Sequence, residues 1–143
     1  MSETVKFHFD VDGENFTSAG EASVQVKKLL RQLGVSPDVI RKVSIAMYEG
    51  EINMVIHADG GDADVNVHDN YIEVILADRG PGIPDIELAM QEGFSTAKDN
   101  IRSLGFGAGM GLPNMKRYSD DMNISTVIGQ GTTVTMRFNV TGM

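Results

Sequence analysis

The chain has 143 residues, 41% of them hydrophobic, which suits a single packed domain over residues 1–143 and leaves little room for a second. It contains no cysteine, so disulfides and thiolate zinc sites are excluded. Twenty acidic against twelve basic residues give a net charge of −8, and the longest basic cluster, Lys27, Lys28 and Arg31, reads as a solvated helix face, which excludes nucleic acid as a partner.

In chain order, Val5, Phe7, Phe9 and Val11 alternate with Lys6, His8 and Asp10, the period of a half-buried strand. Residues 18–33 change period: Ala22, Val26, Leu29, Leu30 and Leu33 share a helical face, and Gly34 marks the stop. Ser36-Pro37 restarts a helix, with Ser36 suited to cap it and Pro37 to its first position, and the pattern runs to about His57 before Gly60-Gly61. Ala63, Val65 and Val67 define another strand, Asp69-Asn70 a turn, and Tyr71–Ala77 a strand whose nearly continuous apolar run suits a central position. A short helix is expected near Asp85–Gln91, a long glycine-rich loop over 92–111, a helix over Leu112–Tyr118, and a final hairpin of Asn123–Ile128 and Thr132–Val140 around Gly129-Gln130-Gly131. Hairpin-linked strands imply a mixed, mostly antiparallel sheet with helices on one face, a two-layer α/β sandwich. No apolar run approaches the ~20 residues of a membrane span. Met1-Ser2-Glu3-Thr4 lacks the basic and apolar regions of a signal peptide, so a cytoplasmic location is expected.

Four segments carry the chemistry. Glu49, Asn53 and His57, spaced by four, line one side of the long helix. An isolated stripe of this kind reads more readily as a solvated face. Asn and Gly50, however, both weaken a helix, which points to a role beyond stability. An amide oxygen suits magnesium, and a carboxylate one turn away suits acceptance of a proton from an attacking hydroxyl. The second segment, Asp78-Arg79-Gly80-Pro81-Gly82-Ile83-Pro84, follows a buried strand. It can be an ordinary turn, or a place where a ring lies on the backbone while a carboxylate accepts from an exocyclic amine. The third, Gly105-Phe106-Gly107-Ala108-Gly109-Met110-Gly111-Leu112, leads into a helix and offers successive amides to an anion. It is neither a P-loop nor a Rossmann fingerprint. The fourth, Gly129-Gln130-Gly131-Thr132-Thr133, is a hairpin turn whose Thr132 hydroxyl can reach a ligand.

Taken in order and spacing, these segments resemble the N, G1, G2 and terminal Gly-Thr boxes of the GHKL (Bergerat-fold) ATPase superfamily, over about residues 37–138. The Glu-x-x-x-Asn spacing, with Glu92-Gly93-Phe94-Ser95-Thr96 followed by Gly107-Ala108-Gly109, is most similar to the anti-sigma and switch-protein serine kinases. The resemblance implies ATP and Mg2+. It makes Asn53 the magnesium ligand, Glu49 the acid that polarises the acceptor hydroxyl, and Asp78 the reader of the adenine amine. It places Gly82 beside the ring, counts Gly80 and Ile83 among the nucleotide-binding residues, and puts Thr132 in support of adenine recognition. It gives Gly107, Ala108, Gly109, Met110, Gly111 and Leu112 to the phosphate-facing lid, with Lys98 and Arg102 within it as candidate phosphate contacts. His57 matches a frequent histidine of the N box, with a structural or supporting role. Gly50, Glu51, Ala58-Asp59 and Arg79 depart from the usual pattern without removing any of these ligands.

The resemblance thus implies a protein serine/threonine kinase acting on a small STAS-type antagonist, with a sigma factor as a second possible partner and a homodimer as a possible assembly. The alternative is a nucleotide-gated module that sequesters a regulator without phosphorylating it. A histidine-kinase catalytic domain fits less well, because His8 and His68 fall in strands and no helical hairpin carries a histidine.

Overall fold

The computed structural model describes residues 4–12, 20–57, 60–80, 90 and 111–140. In chain order these form β1 (Val5–Asp12), α1 (Glu21–Gln32), α2 (Pro37–His57), β2 (Gly60–Val67), β3 (Tyr71–Asp78), α3 (Gly111–Tyr118), β4 (Asp121–Val127) and β5 (Gly131–Asn139). The strands make one sheet in the order β1-β2-β3-β5-β4, and every neighbouring pair is antiparallel. The mixed, mostly antiparallel sheet expected from the hairpins is therefore wholly antiparallel among the described residues. The helix expected near Asp85–Gln91 and the loop over 92–111 fall almost wholly outside them.

Alternation decides which face of the sheet is covered. Val65 lies opposite Val74, and Val74 opposite Met136, so inward residues of three strands stack in one layer. Together with Ala63, Ile72, Leu76 and Phe138 they are buried against Val26, Leu30, Val43 and Met47 of the helices. Burying each such side chain is worth ~1.5–3 kcal/mol, which suffices to hold α1 and α2 on that face. The opposite face carries Lys6, His8, Asp62, Asp64, Glu73 and Arg137, as the polar half of a period-two pattern requires.

The connections follow local chemistry. α1 ends in a Schellman arrangement: Gly34, at φ 79°, donates its N–H to the Arg31 carbonyl, and Val35 donates to the Leu30 carbonyl. Val35 and Leu30 are both buried, which adds the apolar contact that usually accompanies this motif. α2 starts at Pro37, and the Ser36 carbonyl accepts the Ile40 N–H at 3.0 Å. Asp38 in its first turn faces Lys42 at 3.3 Å.

On the open face, His8 Nδ1 meets Asp64 at 2.7 Å, and Nε2 lies 3.4 Å from Asp10 and 3.5 Å from Asp62. The Asp64 hydrogen bond, with its charge and that of Asp10, raises the His8 pKa above 6.5. A raised folded-state value means the pair stabilises the fold below about pH 6.5, and that contribution fades as pH climbs through the raised value. Asp64→Asn should lower the His8 titration midpoint followed by NMR, and should flatten the pH dependence of the melting temperature above about pH 6.5.

Candidate functional site

The site is built where β3 ends. Its apolar run stops at Asp78, one step beyond the register pair Ala77↔Thr133, so Asp78 and Thr132 point to the helix-covered face with Leu76 and Val134. The Thr132 N–H donates to Asp78 Oδ1 at 2.9 Å, and the Gly80 N–H donates to the same oxygen at 3.0 Å. Both bonds use Oδ1, so the carboxylate is fixed in orientation while Oδ2 carries neither of them. The Thr132 side chain is buried, and its hydroxyl is 3.0 Å from that of Thr126 on β4. Gly131 sits at φ 141°, and a Cβ there would overlap the Asp78 carbonyl oxygen, so only glycine lets the last strand approach the end of β3 this closely.

α2 supplies the facing wall, and three consecutive residues reach three different elements because each step around a helix is ~100°. Glu49 Oε1 accepts a hydrogen bond from Asn114 Nδ2 of α3 at 3.4 Å. Gly50 is pressed against β3 and α3: an added Cβ would overlap Leu76 Cδ1 and stand 3.0 Å from Met115 Cε. Glu51, only 2% exposed, turns to α1, where Oε2 accepts the N–H groups of Gly20 at 2.8 Å and Ala22 at 3.1 Å, and Oε1 accepts that of Ser23 at 3.0 Å. It thus satisfies the orphan donors at the N-terminus of α1, where Gly20 has no side chain to do so. Gly50 and Glu51, which look like departures at the sequence level, are both explained by packing. Gly50→Ala should cost ~1–3 kcal/mol by overpacking against Leu76 and Met115, seen as a lower melting temperature.

Asn53, Asp78, Leu112 and Thr132 line one cleft together with Gly50, Met54, Leu76, Met115 and Val134, a cavity of about 100 Å³ that opens to solvent. Its walls are mainly apolar with a few converging polar groups, the usual make-up of a small-molecule site. Asn53 lines this cleft, and among the described residues no hydrogen bond holds its side chain. A neutral amide oxygen on the cleft wall fits magnesium, which keeps several waters and takes few protein ligands.

Four of the expected residues, Asn53, Asp78, Leu112 and Thr132, are therefore brought together. Gly80 joins them through its N–H, and Gly111 opens α3 beside them. Glu49 stands one turn from Asn53 but is turned toward α3. His57 ends α2, and its side chain lies outside the described residues, as do Gly82, Ile83, Lys98, Arg102, Gly107, Ala108, Gly109 and Met110. Asn114 and the apolar walls Met54, Met115 and Val134 were not singled out by the sequence. Leu112 and Met115 at helical spacing were the available signal for the wall, and none marked Asn114.

The antiparallel sheet of the described residues, with helices on one face and this cleft at the end of β3, matches an ATPase-type nucleotide-binding domain. The chain belongs to the family of histidine kinase-, DNA gyrase B- and HSP90-like ATPases, which it matches over residues 38–142. It is 31% identical over 112 residues to the serine/threonine-protein kinase RsbT of Bacillus subtilis, covering 76% of this chain and 78% of that one. It is 28% identical over 143 residues to an anti-sigma F factor of Geobacillus stearothermophilus, covering 96% and 92%. Among solved structures, it resembles one of the RsbU and RsbW domains of a Mycobacterium tuberculosis protein, with a TM-score of 0.67 and 17% identity over 95% of this chain, which spans 32% of that longer one. It also resembles the mycobacterial sensor histidine kinase MprB, with a TM-score of 0.55. The solved structures agree on the fold, and the family match together with the two sequence relatives supports a kinase-type ATPase of the partner-switching group. No helix of the described residues is long and apolar enough to cross a membrane.

Proposed function

We propose that this chain is an ATP-dependent protein serine/threonine kinase of the partner-switching type, working as one domain over residues 1–143 in the cytoplasm. ATP lies in the cleft, with Oδ2 of Asp78 accepting the adenine N6 amine and Thr132 beside the ring. Gly80, Gly82 and Ile83 follow the base, and the segment from Lys98 and Arg102 through Gly107, Ala108, Gly109 and Met110 to Gly111 and Leu112 faces the phosphates. Asn53 holds Mg2+, which supplies neutralisation of phosphate charge when bound. The observation that carries the reading is the convergence of Asn53, Asp78 and Thr132, from three separated elements, on one cleft.

In the transfer, the hydroxyl oxygen of an acceptor Ser or Thr bonds to the γ-phosphorus as the bond to the β,γ-bridging oxygen breaks, and ADP leaves. Glu49 takes the hydroxyl proton. Little else is asked of the protein than positioning and charge stabilisation, which suits so small a domain. The acceptor is a small STAS-type antagonist; a sigma factor is the second partner, and the working assembly is a homodimer. Names of the related kinase and anti-sigma factors support a protein partner of this kind.

The test is incubation with γ-labelled ATP and the small STAS-domain proteins of the source organism, alongside Glu49→Gln. Label on one of them, lost in Glu49→Gln with ATP still bound, is the expected result. A wild-type protein that binds ATP and labels none of them would leave a nucleotide-gated binding module instead.

A further inference from the structure

We propose that Asn114 is a positioning residue for Glu49, so that the aim of the proton-accepting carboxylate depends on the seating of α3. This deepens the phosphoryl-transfer reading above and rests on it. Among the described residues, Asn114 is the hydrogen-bond donor that reaches Glu49, through Nδ2 to Oε1. The two residues are 65 positions apart, so the contact exists only when α3 is packed on α2. At 3.4 Å it is at the long end for a hydrogen bond, so its strength depends closely on where α3 sits.

The same helix walls the cleft. Leu112 and Met115 face it one turn apart, and Asn114 stands on the adjacent flank. Chain order places α3 directly after the glycine-rich segment that ends at Gly111. A nucleotide that presses on Leu112 and Met115 therefore also sets the donor that orients Glu49. The choice of an amide matters. A neutral N–H steers one carboxylate oxygen and leaves the other for the acceptor's proton. A lysine or arginine at this place would favour the ionised form strongly and oppose that proton's arrival. The geometry thus couples occupation of the cleft to readiness of the acid.

Two measurements decide this. The first needs no acceptor: in 15N-labelled protein the Asn114 side-chain amide resonances should move with pH as a neighbouring carboxylate titrates, and should stop moving in Glu49→Gln. A purely structural asparagine would give the same curve in both proteins, which would overturn the proposal. The second uses the acceptor labelled in the preceding test. Asn114→Leu should slow single-turnover transfer about tenfold while affinity for a fluorescent ATP analogue stays within about twofold. Transfer at the wild-type rate in Asn114→Leu would also overturn it. If that variant fails to fold, Asn114→Ser removes the amide with less disturbance of α3. Should the wild type label no acceptor, the kinase reading falls and the amide titration alone decides the role of Asn114.

Discussion

Asp78→Asn should weaken ATP binding by about a hundredfold or more, roughly 3 kcal/mol, while leaving the fold nearly as stable as before. The asymmetry of the carboxylate's contacts is the reason. Asparagine can place its Oδ1 where Asp78 Oδ1 accepts the Thr132 and Gly80 N–H groups, so the junction between β3 and β5 keeps both bonds. The other position then holds an NH2 group facing the adenine amine, two donors with no acceptor between them. Preference for ATP over GTP should shrink at the same time, because the new donor can face the guanine O6. Calorimetric titration with both nucleotides reads the affinity, and a thermal melt checks the fold. A variant that binds ATP as well as the wild type would remove Asp78 from base recognition.

Glu51→Ala should be the most destabilising single change at the site, by ~3–5 kcal/mol, because it leaves three buried N–H groups of α1 without an acceptor. For a chain of this size that corresponds to a fall in melting temperature on the order of 10–20 °C. Glu51→Gln keeps the shape and one acceptor oxygen, so its cost should be smaller: Oε2 serves Gly20 and Ala22, and a single oxygen there preserves two of the bonds. The consequence for chemistry is indirect. Glu51 lies between Glu49 and Asn53 on α2, so loosening its grip on α1 frees the helix that carries both. Hydrogen exchange of the Gly20, Ala22 and Ser23 amides would show the local release directly. Slow exchange in Glu51→Ala would mean that other groups cap α1.

Much of the fold is legible in the residues because burial imposes a period. Val5 to Val11, Ala63 to Val67 and Ile72 to Leu76 alternate or run apolar as strands with one covered face must, and Gly34 and Gly129 punctuate where turns require them. The four-residue spacing of Glu49 and Asn53 likewise places both on one stretch of helix. Element ends are less legible: α1 is traced from Glu21 and β5 from Gly131, whereas the pattern suggests 18 and 132. Caps and ladder hydrogen bonds settle such ends, and they come from neighbours that the local pattern does not contain.

The sequence by itself determined the elements, their apolar faces, and the residue types that meet at the cleft, because each of these is written within a few positions of the chain. Only the tertiary structure decided that β5 inserts between β3 and β4, which sets Thr132 against Asp78. It alone turned Glu51 from an anomaly of the helix into the cap of α1, and Gly50 into the point where α2 touches Leu76 and Met115. These relations join residues dozens of positions apart, and their energies come from burial and from hydrogen bonds that form only once the layers have packed. No local pattern can carry them, since neither partner's preference for its own conformation depends on the other until the two meet.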